Sequence, residues 1–164
     1  MNPHQRRALA RLAARLHAEA IPFALGGSAL LHVLGLTDEV GDLDLMLGPD
    51  DHDRLRAAAG GWWSGSRHGG EGIWRSAWLA WLALDGVQVD AIGGLAFVLD
   101  GREVRLPLRA AGDAEVNGVT VPLADPALWW VAYAACKPAK AALLEAVVTP
   151  TARAAVRREL GLDE

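Results

Sequence analysis

The sequence predicts an α/β or α+β domain in which a mixed β-sheet is flanked by helices, with a further set of helices at the C-terminal end. Three observations carry that expectation. Apolar residues make up 52% of the 164 residues and charged ones 22%, enough to build a core and too apolar for a disordered or collagen-like chain. Short apolar runs alternate with capping and turn residues from Ile21 to Leu123, the mark of strands mixed with helices. After Asp125 the pattern turns to helices alone. The length suits a single domain over 1–164, with a sheet-containing core at 1–124 and C-terminal helices at 125–164.

The elements follow in order. Leu9, Leu12 and Leu16 mark one face of a first helix. Arg6, Arg7, Arg11 and Arg15 give the same segment something of a transit peptide's composition, but the first helix of a folded domain accounts for it better. Ile21 to Leu25 is a short apolar strand. Gly26-Gly27 then turns the chain, and Ser28 is placed to cap a helix running to about Leu34. The run DLDLML, Asp42 to Leu47, alternates polar and apolar residues up to Gly48-Pro49 and reads as a second strand. Asp50 or Asp51 caps a helix that ends at Gly60-Gly61, and the Gly- and Ser-rich stretch from Gly60 to Glu71 is expected to be a loop or an irregular edge.

Two apolar runs, Ala77–Leu84 and Val87–Ile92, flank Asp85-Gly86 and predict a hairpin. Trp74, Trp78 and Trp81 also fit helical spacing, but the turn and the β-branched Val87 and Val89 agree on strands. Leu95–Leu99 and Glu103–Leu108 are further strands, and Asn117-Gly118 joins a second hairpin. Asp125 caps the next helix with Pro126 at its first position, Pro138 kinks or ends it, and Thr149-Pro150 starts a last helix closing near Gly161.

Charge is distributed unevenly. There are 20 acidic and 16 basic residues, net −4, and a pI near 5.7, a poor balance for a dedicated nucleic-acid binder. Seven of the acids fall between Asp38 and Asp53, where there is no Lys or Arg; the remainder holds 13 acids against 16 bases. A lone Cys136 excludes an internal disulfide and fits a reducing, cytoplasmic setting, and its apolar surroundings suggest a small buried side chain. The longest uncharged run, Ala20–Thr37, is broken by Pro22, Gly26-Gly27 and Gly35 and is not expected to span a membrane. His4, His17, His32, His52 and His68 show no metal-ligand spacing.

The acidic segment is where chemistry is expected. Asp42 and Asp44, two apart on a strand, share a face, about 6.6 Å apart along it. Asp90 lies in the middle of an apolar strand, VQVDAI, where a lone carboxylate is costly. If the two strands are neighbours, Asp42, Asp44 and Asp90 converge, and three such carboxylates suit a pair of Mg²⁺ ions about 4 Å apart and in-line phosphoryl chemistry. Gly26, Gly27 and Ser28 stand at a strand-to-helix junction, where backbone amides and a hydroxyl can meet a phosphate. Such a turn is more often plain turn chemistry; its order and spacing relative to the aspartates make it notable.

The run GGSALLHVLGLTDEVGDLDLML resembles the signature of the nucleotidyltransferase superfamily typified by DNA polymerase β, a Gly-Gly/Ser turn followed by an Asp-x-Asp strand. VQVDAIGG is similar to the strand bearing that superfamily's third carboxylate, and VTVPLADPALWWVAYAACK looks like its strand, helix and lysine. The likeness is greatest to small bacterial members: minimal, antibiotic-modifying and toxin–antitoxin types. The resemblance implies transfer of a nucleoside monophosphate from an NTP such as ATP to a hydroxyl. Asp42, Asp44 and Asp90 would be the catalytic, Mg²⁺-holding residues, and Gly26, Gly27, Ser28 and Lys137 would contact the nucleotide's phosphates. Many relatives carry an arginine shortly before the Asp-x-Asp strand, where this chain has Asp38, Glu39 and Val40. Lys137 and Lys140, its only lysines, are the candidates to replace that charge. With only 74 residues beyond Asp90, a small molecule or a partner protein's side chain is the expected acceptor rather than a polynucleotide. The alternative is an inactive member serving as an antitoxin or interaction module; a glycosyltransferase using DLD fits less well, the chain being short for one.

Overall fold

The computed structural model describes residues 1–163. Helix α1 (Pro3–Ala18) is closed at its start by a reciprocal pair, in which Asn2 accepts from the Gln5 N–H and Gln5 accepts from the Asn2 N–H. Ala8, Leu9, Leu12, Ala13 and Leu16 are fully buried, so the arginine-rich first segment is part of the core. Strand β1 (Phe23–Gly26), α2 (Gly27–Val33), β2 (Leu43–Leu47) and α3 (His52–Ala59) follow. Then come β3 (Trp63–His68), β4 (Trp78–Leu84), β5 (Val87–Gly93), β6 (Ala96–Leu99), β7 (Arg102–Arg105), β8 (Ala110–Val116) and β9 (Val119–Ala124). Helices α4 (Pro126–Cys136), α5 (Pro138–Leu144) and α6 (Pro150–Glu159) end the chain.

Seven strands form one mixed sheet in the order β3-β4-β5-β2-β1-β9-β8, and β6-β7 is a separate hairpin. The β2–β5 and β1–β9 pairs are parallel and the other pairs antiparallel. The architecture is thus the predicted α+β arrangement. Three hairpins turn on an acidic or amide residue followed by glycine, Asp85-Gly86, Asp100-Gly101 and Asn117-Gly118, all at positive φ, the backbone that matches strand twist.

Side chains alternate across the central strand. Leu43, Leu45 and Leu47 are buried on one face, the side of α3, whose His52 ring meets Trp78 edge-on, and of α1, which contacts α3. Asp44 and Met46 point to the other face, which α4 covers: the Trp129 indole N–H reaches Met46 Sδ at 3.2 Å. On the central strand β2 one face is therefore wholly apolar, while the other carries Asp44.

Three expectations need correction. The stretch from Gly60 to Glu71, expected as a loop or an irregular edge, contains β3, a full edge strand paired with β4. Its alternate residues are half-buried, and pairing with the tryptophan-rich neighbour outweighs the poor strand propensity of Gly and Ser. Ser28 does not cap α2: the helix begins one residue earlier, and the Ser28 hydroxyl accepts instead from the Gly41 N–H at 3.1 Å. Asp51 occupies the cap position of α3, but its carboxylate receives Arg54 rather than a helix N–H. Asp125 and Thr149 do cap α4 and α6, as expected. No helix among the described residues is long and apolar enough to cross a membrane.

Candidate active site

The register of β2 on β5 sets Asp44 directly opposite Asp90. Parallel neighbours lie about 4.8 Å apart and opposed residues point to one face, so both carboxylates stand side by side on the face beneath α4. Asp42, just before β2, lines the same cavity as this pair. The cavity is about 460 Å³, and Ser28, Lys137 and Lys140 also line it. The structure therefore brings Asp42, Asp44, Asp90, Ser28 and Lys137 to one place.

Gly26 and Gly27 lie underneath rather than in the lining. Gly26 sits opposite Asp44 in the β1–β2 register, and a Cβ there would overlap the Trp129 indole. Gly27 has φ +62°, and a Cβ there would overlap the Asp44 carboxylate. The two glycines thus let α4 and the aspartate pack closely against the turn.

The approach to β2 is fastened from three sides. The Gln5 amide donates to the carbonyls of Val40 and Gly41 at 3.1 and 2.8 Å, Ser28 accepts from the Gly41 N–H, and His32 Nδ1 pairs with the Thr37 carbonyl at 3.0 Å. Both backbone groups of the residue before Asp42 are therefore held. Nothing in the sequence pointed to Gln5, which lies 36 residues from Gly41.

Lys137 owes its place to a break. α4 ends at Cys136, and Pro138, which has no N–H to continue the ladder, starts α5 with Lys137 in a non-helical conformation between the two. The Lys140 ammonium lies 5.6 Å from the centre of the Tyr133 ring. Cys136 is half-buried, packed against the core and lining the cavity, its thiol donating to the Ala132 carbonyl at 3.3 Å.

Burial dominates the electrostatics of the site. Burial pushes the Asp44 carboxyl up to about 7; repulsion from Asp90 adds to this, Lys137 opposes it, and Asp42 and Lys140 act more weakly in their respective directions. The Asp90 carboxyl is also raised by burial, against the hydrogen bond it accepts from Gln88 Nε2 at 3.0 Å. Burial, then the nearby Asp44 charge, raises the Tyr133 hydroxyl.

Of the five tryptophans between residues 62 and 81, only Trp74 lines the cavity. Trp62 lies under Arg11 and Arg15, Trp63 meets His52, and Trp78 is fully buried with its N–H on the Pro49 carbonyl. Arg67 lines the cavity from β3 and was missed because its segment was expected to be a loop or an irregular edge with no assigned face.

Among the described residues, no group of three or more His, Cys, Asp and Glu side chains forms a metal-holding cluster by itself. Mg²⁺ seldom needs one: it is usually held by one or two carboxylates together with substrate phosphates and water. An all-oxygen donor pair whose charge is uncompensated, as Asp44 shows, fits that mode.

No protein-family model and no curated protein matches the chain. Solved structures do. One is a candidate nucleotidyltransferase from Thermotoga maritima, at 18% identity and TM-score 0.72, covering 99% of this chain and 96% of that one. The antibiotic-resistance factor ANT(2'')-Ia matches in solution at 18% identity and TM-score 0.60, covering 98% and 95%. Its crystal structure in complex with adenylyl-2''-tobramycin matches at 17% and 0.59, covering 94% and 98%. Likeness at such low identity speaks for architecture, and the architecture of this chain is the nucleotidyltransferase fold.

Proposed function

We propose that the chain is a metal-dependent nucleotidyltransferase that moves a nucleoside monophosphate from an NTP to a hydroxyl of a small molecule or a protein. The observation that carries this is the opposition of Asp44 and Asp90 on parallel strands, facing a cavity that Asp42, Ser28 and Lys137 also line. The shared fold with ANT(2'')-Ia, seen with an adenylylated product, supports it.

In the reaction the acceptor oxygen forms a bond to the α-phosphorus, the bridge to the β-phosphate breaks, and pyrophosphate leaves. Asp42 and Asp44 would hold Mg²⁺ on the nucleotide side, and Asp90 would complete a second position. Bound Mg²⁺ supplies charge neutralisation and Lewis acidity. Lys137 and Lys140 approach from the α4–α5 wall, where ammonium groups pair with phosphate oxygens. Ser28 has its oxygen engaged by Gly41 and keeps its proton to donate to a phosphate. Asp90, whose carboxyl is raised, is suited to take the acceptor's hydroxyl proton.

The test is Mg²⁺-dependent thermal stabilisation by ATP, together with release of pyrophosphate when acceptors are supplied. Asp44→Asn should lose both. An Asp44→Asn protein that is stabilised as strongly as the wild type would defeat the assignment, and so would a wild type with no response. The absence of any response is what an interaction module that kept only the fold would give.

A further inference from the structure

The cavity holds a third cation that the proposed reaction leaves without a task. Arg67 stands on β3, and the register runs from it through Leu79 and Ile92 to Met46. These residues are two along from Trp81, Asp90 and Asp44, so Arg67 shares the face of the carboxylates. It is two strands from the strand of Asp90, about 10 Å of sheet. Lys137 and Lys140 act on Asp44 from the opposite, α4–α5 side. Cations therefore stand at both ends of the cavity with the carboxylates between them.

Arg67 is only partly satisfied. Its Nη1 pairs with Glu71, a side chain 75% exposed, while its Nε is buried and has no hydrogen-bond partner. It is the one such buried nitrogen or oxygen among the described residues. Buried N–H groups normally find an acceptor, and a guanidinium edge matches two oxygens of a carboxylate or phosphate. The neighbouring lining offers none: Trp74, Leu79, Ile92 and Leu95 are apolar, and the Ser76 hydroxyl is engaged with both backbone groups of Ala96.

We propose that Arg67 anchors the acceptor through an oxyanion group, a carboxylate or a phosphate, at the end of the cavity away from the lysines, with the acceptor's hydroxyl turned toward Asp90. The destination of the hydroxyl rests on the nucleotidyl-transfer reading; the oxyanion subsite does not. A polyamine acceptor would meet like charge at Arg67.

Isothermal titration in EDTA, without nucleotide, tests the subsite with glycerol 3-phosphate, glycerate and glycerol. At least one anion should bind saturably while glycerol does not, and the tighter of the two identifies phosphate or carboxylate. Arg67→Gln should weaken that binding at least about tenfold, as expected for loss of a charge-assisted contact. Glu71→Gln, which frees the guanidinium at an exposed position, should tighten it, and a purely structural Arg67 would not give that opposite response. The double variant Lys137→Ala/Lys140→Ala should leave Arg67-dependent binding in place. The proposal is overturned if neither anion binds better than glycerol, if binding follows the lysines, or if it is unchanged in both Arg67→Gln and Glu71→Gln. Oxyanion binding without any Mg²⁺-ATP response would remove the transferase reading and keep the subsite; the reverse pattern would keep the reading and remove the subsite.

Discussion

Asp44→Asn should make the metal-free protein more stable at alkaline pH, although it removes a residue the proposed reaction needs. The Asp44 carboxyl is raised from 3.8 to about 7. Between those values the folded protein holds a proton that the unfolded chain has already released. Stability therefore falls as pH rises through that window, and the loss is complete above about 7. The whole shift corresponds to about 4 kcal/mol. Asp44 is partly exposed to the cavity, so water screens part of this, and about 2 kcal/mol is expected between pH 5 and 8. Asparagine has nearly the same shape and no charge to bury. Urea unfolding of both proteins in EDTA at the two pH values measures the effect. The variant should exceed the wild type slightly at pH 5 and by about 2 kcal/mol more at pH 8, and adding Mg²⁺ with ATP should close the gap by stabilising the wild type alone. A difference that does not change with pH would refute the argument that burial and Asp90 hold the Asp44 carboxyl up.

Three further outcomes are expected. Asp90→Asn should lower turnover by about 100-fold or more, the scale of lost proton transfer, while Mg²⁺-ATP still raises the melting temperature; loss of nucleotide binding instead would make Asp90 chiefly a metal ligand. Gly27→Ala meets both a positive φ and the Asp44 carboxylate, and should destabilise the fold by about 2 kcal/mol or more in denaturant titrations; an unchanged midpoint would mean the turn can relax. Gln5→Ala should cost about 1–2 kcal/mol by leaving the Val40 and Gly41 carbonyls unpaired, and should also weaken Mg²⁺-ATP binding because the backbone before Asp42 is released. Stability lost without any change in nucleotide binding would show that Gln5 does not position Asp42.

What the sequence made legible was whatever a short window carries. The alternation in DLDLML and VQVDAI revealed the face of each aspartate, because side-chain direction in a strand depends only on parity. The Asx-Gly pairs revealed two hairpins for an equally local reason. The opposition of Asp44 and Asp90 was not legible as such, since it depends on β5 pairing with β2 rather than with a neighbour in sequence; only the cost of a lone carboxylate in an apolar strand hinted at it. β3 was hidden because WSGSRH has weak strand propensity and is held by β4, and Arg67 was hidden with it. Gln5 lay outside any window around the aspartates it helps to place.

The net charge of −4 acquires a physical meaning from this arrangement. Part of the acidity lies in three carboxylates along one cavity, two of them opposed in register, and burial raises Asp44 and Asp90 alike. A fold selected only for stability would gain by placing an amide at residue 44. The carboxylate makes sense if a cation and a polyphosphate complete the charge balance in the working state. Lys137 and Lys140 at one end and Arg67 at the other leave Asp44 raised, and on the proposed reading they would receive two different anionic partners. The lysines lie on the side of Asp44 and Arg67 lies beyond Asp90, so on the proposed reading the sheet order would rank the site: nucleotide first, reacting carboxylates in the middle, acceptor last. That ranking follows from β2 lying between β1 and β5. Any variant that shifts the β2–β5 register by one residue would turn Asp44 toward α3 and dismantle both halves of the site at once.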